Sequence, residues 1–250
     1  VFRSDFHPSF IDKPPTDAKV WRYMDLARYL SLLQTEALHF ARADQMSDRW
    51  EGSYSEVNQL LRPQMYGPLF EEISTAMIGQ RWRMLQTTHM NCWHLAEIES
   101  AAMWEIYQRE GRGVAVRSTW GDLTSSITSE RAVFGAKVKY VDYKTTFIPE
   151  GISFEAFMHK RESFSHEKEV RLIMITGLTM PHPTEENSAI SLGPEAPVLP
   201  VSVDLTRLMQ EVFVAPNAPD WIADTVADVT SRYGFNFPVR QSDLARDPIE

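Results

Sequence analysis

Phe164-Ser165-His166-Glu167-Lys168-Glu169-Val170-Arg171-Leu172-Ile173-Met174 carries a charged Glu-x-Glu-x-Arg run straight into an apolar segment. Read as extended chain, its period of two puts Glu167, Glu169 and Arg171 on one face and Lys168, Val170 and Leu172 on the other. Two carboxylates and a guanidinium then share one patch. That patch is either a functional cluster or a solvated strand face. The apolar continuation makes the segment a core strand, and its neighbours decide the fold class.

Upstream, Phe154, Phe157, Met158 and Arg161 have the spacing of a helix that delivers the chain into this strand. Before it, 133–143 alternates as a strand, 120–130 reads as a short helix and 114–119 as a strand. Helices are expected at 98–109 and 68–85, with a strand at 89–94 between them. Further back, a polar loop covers 42–53, a strand covers 38–41, and Asp25 caps a helix whose stripe is Leu26, Leu30, Leu33 and Ala37. Trp21-Arg22-Tyr23 opens the first strand. Downstream, 179–197 reads as a surface excursion, followed by strands at 198–203 and 211–215 and a helix at 220–232 that Gly234 ends. Strands and helices mix without strict alternation, which favours an α+β fold over a doubly wound sheet. Residues 1–19, with Pro8, Pro14 and Pro15, read as an extended lead-in, and 20–250 as one α+β domain.

The 250 residues, 43% of them hydrophobic, suffice for a substantial core without covalent staples. The single cysteine, Cys92, excludes an internal disulfide and a Cys-rich zinc site and fits a reducing compartment, so the cytoplasm is expected. No apolar run is long enough to span a bilayer. A net charge of −9, from 25 basic and 34 acidic residues, opposes strong non-specific binding to nucleic acid. Glycine-rich nucleotide loops, a nucleophile elbow and a zincin helix are all absent, and the scattered histidines predict no metal site.

Four further clusters carry candidate chemistry. Arg22, set between Trp21 and Tyr23, needs an anion to offset its desolvation, either an internal carboxylate or a ligand phosphate. Ser118 and Thr119 end a strand, where hydroxyls either satisfy backbone groups or touch a ligand. Trp104 and Tyr107, three apart on one helix, form either core or an aromatic wall. Asp48 and Glu51 lie three apart in a loop, as caps and solvated groups commonly do.

Taken in order, these pieces resemble a widespread bacterial family of domains of unknown function. The resemblance spans 21–174 and rests on the aromatic-Arg-Tyr start, Leu38-His39-Phe40, the Asp-x-x-Glu loop at 48–51, Cys92-Trp93-His94, Met-Trp-x-x-Tyr at 103–107, a Gly-Val-x-Val strand and the closing His-Glu-x-Glu-x-Arg. The chain departs from the family pattern at Trp93, where a serine is common, and by lacking a tryptophan ahead of the glutamates. The order of elements is in turn similar to that of ADP-ribosyltransferases. The resemblance implies a mixed, mostly antiparallel split sheet flanked by helices, and an NAD-dependent transferase or NAD glycohydrolase, with a toxin or antiphage effector as its setting. On that analogy Glu169 stabilises the cationic transition state and Glu167 orients the acceptor. Arg22, with Tyr23, Ser118, Thr119, Trp104, Tyr107 and Arg171, holds NAD, and no metal is needed. The acceptor stays unidentified. This reading requires Arg22 and Glu169 to face one cavity from neighbouring strands. Two other readings remain open: a Mg²⁺-dependent nuclease built on Asp122, Asp142 and Lys144, and a non-catalytic domain in which the Glu-x-Glu-x-Arg strand merely pairs with Arg22.

Overall fold

The computed structural model describes residues 1–3, 12–107, 112–151, 154–176, 195–246 and 248. Strand β1 (Lys19–Asp25) runs directly into helix α1 (Leu26–Thr35). The Asp25 side chain caps α1 by accepting from the Arg28 N–H at 2.8 Å, and the helix buries Tyr29, Leu32 and Leu33, so of the expected stripe only Leu33 is fully buried within it, Leu26 and Leu30 being half-buried and Ala37 lying in the next strand. Glu36 ends the helix in the left-handed region (φ 47°) and turns the chain into β2 (Ala37–Arg42). The next stretch departs from expectation: a helix α2 (Glu56–Tyr66), capped by Ser55 and containing Pro63, precedes α3 (Phe70–Thr87). Strand β3 (Thr88–Leu95), helix α4 (Ala101–Tyr107), strand β4 (Gly113–Thr119) and helix α5 (Trp120–Ser125) follow in the expected order, with α5 ending at Ser125 rather than at Glu130.

The region just before the charged strand differs most from its reading. The expected long strand at 133–143 is two short ones, β5 (Phe134–Lys137) and β6 (Lys139–Val141), which enter different sheets. The expected helix through Phe154 and Arg161 is a single 3-10 turn at Glu155–Phe157 followed by strand β7 (His159–Arg161), parallel to β6. Its apolar residues, Phe154, Phe157 and Met158, are buried with Leu85, Met90 and Ile173 in a second core rather than along a helical stripe. Strand β8 (Glu169–Ile175) is the charged strand itself. Strand β9 (Val198–Ser202), helix α6 (Leu205–Leu208), strand β10 (Glu211–Val214), helix α7 (Asp220–Arg232) and strand β11 (Val239–Gln241) complete the order. The excursion expected at 179–197 lies largely outside the described residues.

The main sheet is mostly antiparallel and branches at β3. Along one edge β3 pairs with β8 over its whole length, from Thr88↔Ile175 to His94↔Glu169. The other edge is shared. β1 takes its C-terminal end (Val20↔Leu95, Trp21↔His94), while β2 takes its N-terminal end (Ala41↔Met90, Arg42↔His89). Past Trp21 the strand β1 leaves β3 while staying paired with β4 along its whole length, so Asn91, Cys92 and Trp93 face a fork between β1 and β2. β4 continues to β10 and β11 on one side of the fork, and β2 to β9 on the other. The larger core packs Leu32 and Leu33 of α1 against Val20, Trp93, Val170 and Leu172 of the sheet. The α+β class and the split sheet are therefore both present.

Candidate active site

The charged strand folds around one buried arginine. Arg171 is 1% exposed and uses its whole guanidinium: Nε donates to Glu169 Oε1 at 2.8 Å, Nη1 to Glu51 Oε1 at 2.6 Å and to the Phe157 carbonyl at 2.5 Å. Nη2 reaches the second oxygens of Glu169 and Glu51 at 3.2 and 3.3 Å. Lys160 on β7 donates to Glu167 and, at 3.4 Å, to Glu169. The Tyr140 hydroxyl accepts the Glu169 N–H at 2.8 Å. Three carboxylates thus meet two cations in a continuous network.

Burial alone would raise both inner carboxyls, and the network splits them. At Glu169, Arg171 and Lys160 together overturn the desolvation cost and hold the carboxyl at about 2. At Glu51 desolvation prevails over the Arg171 charge, and Glu169 adds repulsion, so its pKa is raised. Glu169 is consequently the fixed anion of the network and Glu51 the group that takes a proton first. A carboxylate held this low is a poor base and a good electrostatic partner for developing positive charge. The Cys92 thiol is pushed well up, first by burial and then by Glu169, which makes it unreactive as a nucleophile.

Glu167 does not lie on the strand. It ends a 3-10 turn (Glu162–Glu167), and Lys168 follows in the left-handed region (φ 41°), so extended geometry begins only at Glu169. Lys160, not strand alternation, draws the two glutamates together.

Arg22 sits at the fork. Its Nη1 donates to the Cys92 carbonyl at 2.6 Å, a group that the divergence of β1 and β2 leaves without a strand partner. The guanidinium also lies 6.0 Å from the Trp93 ring centroid. Among the described residues it forms no ion pair with a carboxylate, and burial lowers its pKa against the opposing influence of Cys92, Tyr107 and Glu169. One rival reading and one requirement of the transferase reading are corrected. Glu169 pairs with Arg171 rather than Arg22, and β3 stands between β1 and β8, so Arg22 and Glu169 are not on neighbouring strands. Trp21, His94 and Glu169 share one row, so Arg22 leaves its strand from the opposite face, and its guanidinium turns into the fork to reach the Cys92 carbonyl.

The other predicted residues divide. Tyr107, 36% exposed at the end of α4, is coupled to Cys92, Arg22, Glu167 and Glu169, and after burial these charges set its raised pKa. Trp104 is buried, donates to Glu99 at 2.9 Å and stands edge-on to Tyr23, with the ring centroids 5.0 Å apart. Tyr23 is buried too, its hydroxyl accepting the Ser100 N–H at 2.8 Å. Both are core, and only Tyr107 of the aromatic set reaches the surface. Thr119 caps α5 and donates to Asp122 at 2.9 Å, while Ser118 is buried opposite Val20, at the far end of β1 from the fork. Asp122 further accepts from Gln210, and Asp142 closes a turn onto Lys144 and Thr145, so nothing in their contacts unites the nuclease candidates. Glu51 and Lys160 were absent from the predicted site. The Asp-x-x-Glu spacing flagged Glu51, but a loop position gave no sign that it is 5% exposed; Lys160 carried no sequence signal.

No protein-family model and no curated protein matches the sequence. Among solved structures, the chain is similar to "Thermus sp. 2.9 DarT in complex with carba-NAD+" at 10% identity and a TM-score of 0.40, covering 92% of this chain and 98% of that one. It is similar to "Thermus sp. 2.9 DarT in complex with ADP-ribosylated ssDNA" at 9% identity and a TM-score of 0.38, covering 92% and 95%. Among the described residues no helix is long and apolar enough to cross a membrane, and no group of three or more His, Cys, Asp or Glu is arranged to hold a metal ion.

Proposed function

We propose that this chain cleaves NAD, as an ADP-ribosyltransferase or NAD glycohydrolase, with the sheet fork as its donor site. The observation that carries the reading is Arg22. A partly buried guanidinium whose hydrogen bond among the described residues goes to a carbonyl is a ready site for an anion, and a pyrophosphate would supply the missing charge. Arg22 feels the charges of Tyr107 and of the fixed anion Glu169; its side chain leaves the sheet from the face opposite Glu169, so a donor that meets both would have to pass through the fork. Breaking the glycosidic C–N bond places positive charge on the ribose, which a preorganised carboxylate opposes without reorganising. Glu167, partly exposed and steadied by Lys160, would orient the acceptor. Tyr23 and Trp104 support α4, and Thr119 braces the end of β4 by capping α5.

One observation favours a second, structural reading: both oxygens of Glu169 already engage Arg171. Two measurements separate the readings. NAD at a hundredfold excess over its dissociation constant should stabilise the fold by about 2.7 kcal/mol, and Arg22→Ala should abolish that shift. Nicotinamide release should accompany binding. A protein that NAD neither stabilises nor is cleaved by has a structural Glu-x-Glu-x-Arg strand.

A further inference from the structure

The two segments that build the charge network also enclose a separate cavity. It has a volume of about 470 Å³ and is lined by Ser47, Asp48, Arg49, Trp50, Arg161 and Phe164. Asp48 and Trp50 belong to the loop that supplies Glu51, and Arg161 and Phe164 lie within the stretch bounded by Lys160 and Glu167. Its lining is unusual for a solvated crevice. The Arg161 guanidinium lies 5.8 Å from the Trp50 ring centroid and 5.2 Å from that of Phe164, and its Nη2 is fixed on Asp48 at 2.7 Å. Trp50 is held edge-on by Tyr143, with the centroids 5.5 Å apart, so its plane is set in advance. Arg161 Nε is buried and finds no acceptor among the described residues. An unsatisfied buried donor is costly, and a ligand acceptor would relieve it. Arg49 is exposed and forms no ion pair among the described residues, so the lining carries two cations against the single carboxylate of Asp48.

We propose that this cavity is a nucleotide subsite, in which a base packs against the aromatic–guanidinium cluster of Trp50, Arg161 and Phe164 while its phosphate meets Arg49. Fixed aromatic rings interleaved with guanidinium groups are the recurring platform for unstacked bases, because every base offers a π-face and every nucleotide an anion. The volume suits a ligand of this size. The local positive charge lets the site work within a chain whose net charge is −9, since recognition here needs one phosphate rather than a long backbone. The site is distinct from the Arg22 fork. Where the transferase reading above holds, it is the place for the acceptor, and the inference depends on that reading only for this role and not for binding.

The test uses fluorescence anisotropy with a labelled single-stranded oligonucleotide of about ten residues, alongside thermal shift with adenosine monophosphate. Binding is expected to at least one of these, weakened about tenfold or more by Phe164→Ala and also by Arg49→Glu, with a steep loss on added salt for the strand. Response to the mononucleotide alone identifies a free nucleotide as the ligand, and response to the strand alone identifies a nucleic-acid end or loop. The NAD-dependent thermal shift should be untouched by Arg49→Glu, whereas Arg22→Ala should remove that shift and leave oligonucleotide binding intact. Failure of the NAD reading would thus appear as nucleotide binding without an NAD response. Absence of binding to both probes, or binding that ignores Phe164→Ala and Arg49→Glu, overturns the proposal.

Discussion

Glu169 and Arg22 differ in how their charges are met, and that difference governs what their substitution does. Glu169 sits between Arg171 and Lys160, so Glu169→Gln leaves a buried guanidinium short of a partner and should cost about 3 kcal/mol. It should also lower the rate of NAD cleavage about a hundredfold. The two effects are separable, because activity can be scaled to the folded fraction seen by circular dichroism; full activity per folded molecule would show that Glu169 only holds Arg171. Glu167→Gln should instead reduce transfer to an acceptor more than nicotinamide release, since its side chain meets Lys160 and not Arg171. The relation of Glu169 to Arg171 was readable from period-two spacing. That Glu167 falls outside the strand was not, because the break comes from a left-handed Lys168, a residue type with no preference for that conformation. The partner of Arg22 was equally hidden, since it is a backbone carbonyl freed by strand divergence.

Elements with a local signature were legible, and those held by distant contacts were not. Helix α1 shows both halves of its signature, an Asp cap and a 3.6-residue stripe, and Asp25→Ala should destabilise it by about 1 kcal/mol in urea unfolding. The stretch 154–161 has apolar residues at helical spacing yet makes one turn and a strand, because Phe157 and Met158 find their burial in the core beneath β5 and β8. Pairing of β5 with β8 depends on Gly135. A Cβ there would lie 2.8 Å from both Leu172 Cδ2 and Trp120 Cη2 and 3.0 Å from the Arg171 carbonyl oxygen. The two side-chain tips can move, but the carbonyl belongs to the strand that carries the network. Gly135→Ala should therefore destabilise by about 1–3 kcal/mol and disturb Arg171 along with it. A stability equal to wild type would mean that β5 shifts freely against β8.

Over the whole molecule, the sheet order brings residues distant in sequence, Glu51 of a loop, Lys160 of β7 and Arg171 of β8, into one buried network, and no local pattern could announce that assembly. Its consequence is a pH dependence with two limbs of opposite sign. The folded pKa of Glu169 is depressed to about 2, so its contribution is fully present above the unfolded value and is lost as pH falls toward 2. Glu51 is raised, so its contribution is fully present below the unfolded carboxyl value, about 4.3, and is lost as pH rises through its folded pKa. As pH falls through the raised folded pKa of Glu51 the protein should gain stability, and below the unfolded carboxyl value, about 4.3, it should lose it steeply as Glu169 is forced to take a proton. Urea midpoints measured across pH should show a maximum between the two limbs. Glu51→Gln should flatten the limb above the maximum, and Glu169→Gln the limb below it. A steep acid limb that survives unchanged in Glu169→Gln would assign acid unfolding to other carboxylates and show that Arg171 and Lys160 do not hold Glu169 ionised as the geometry requires.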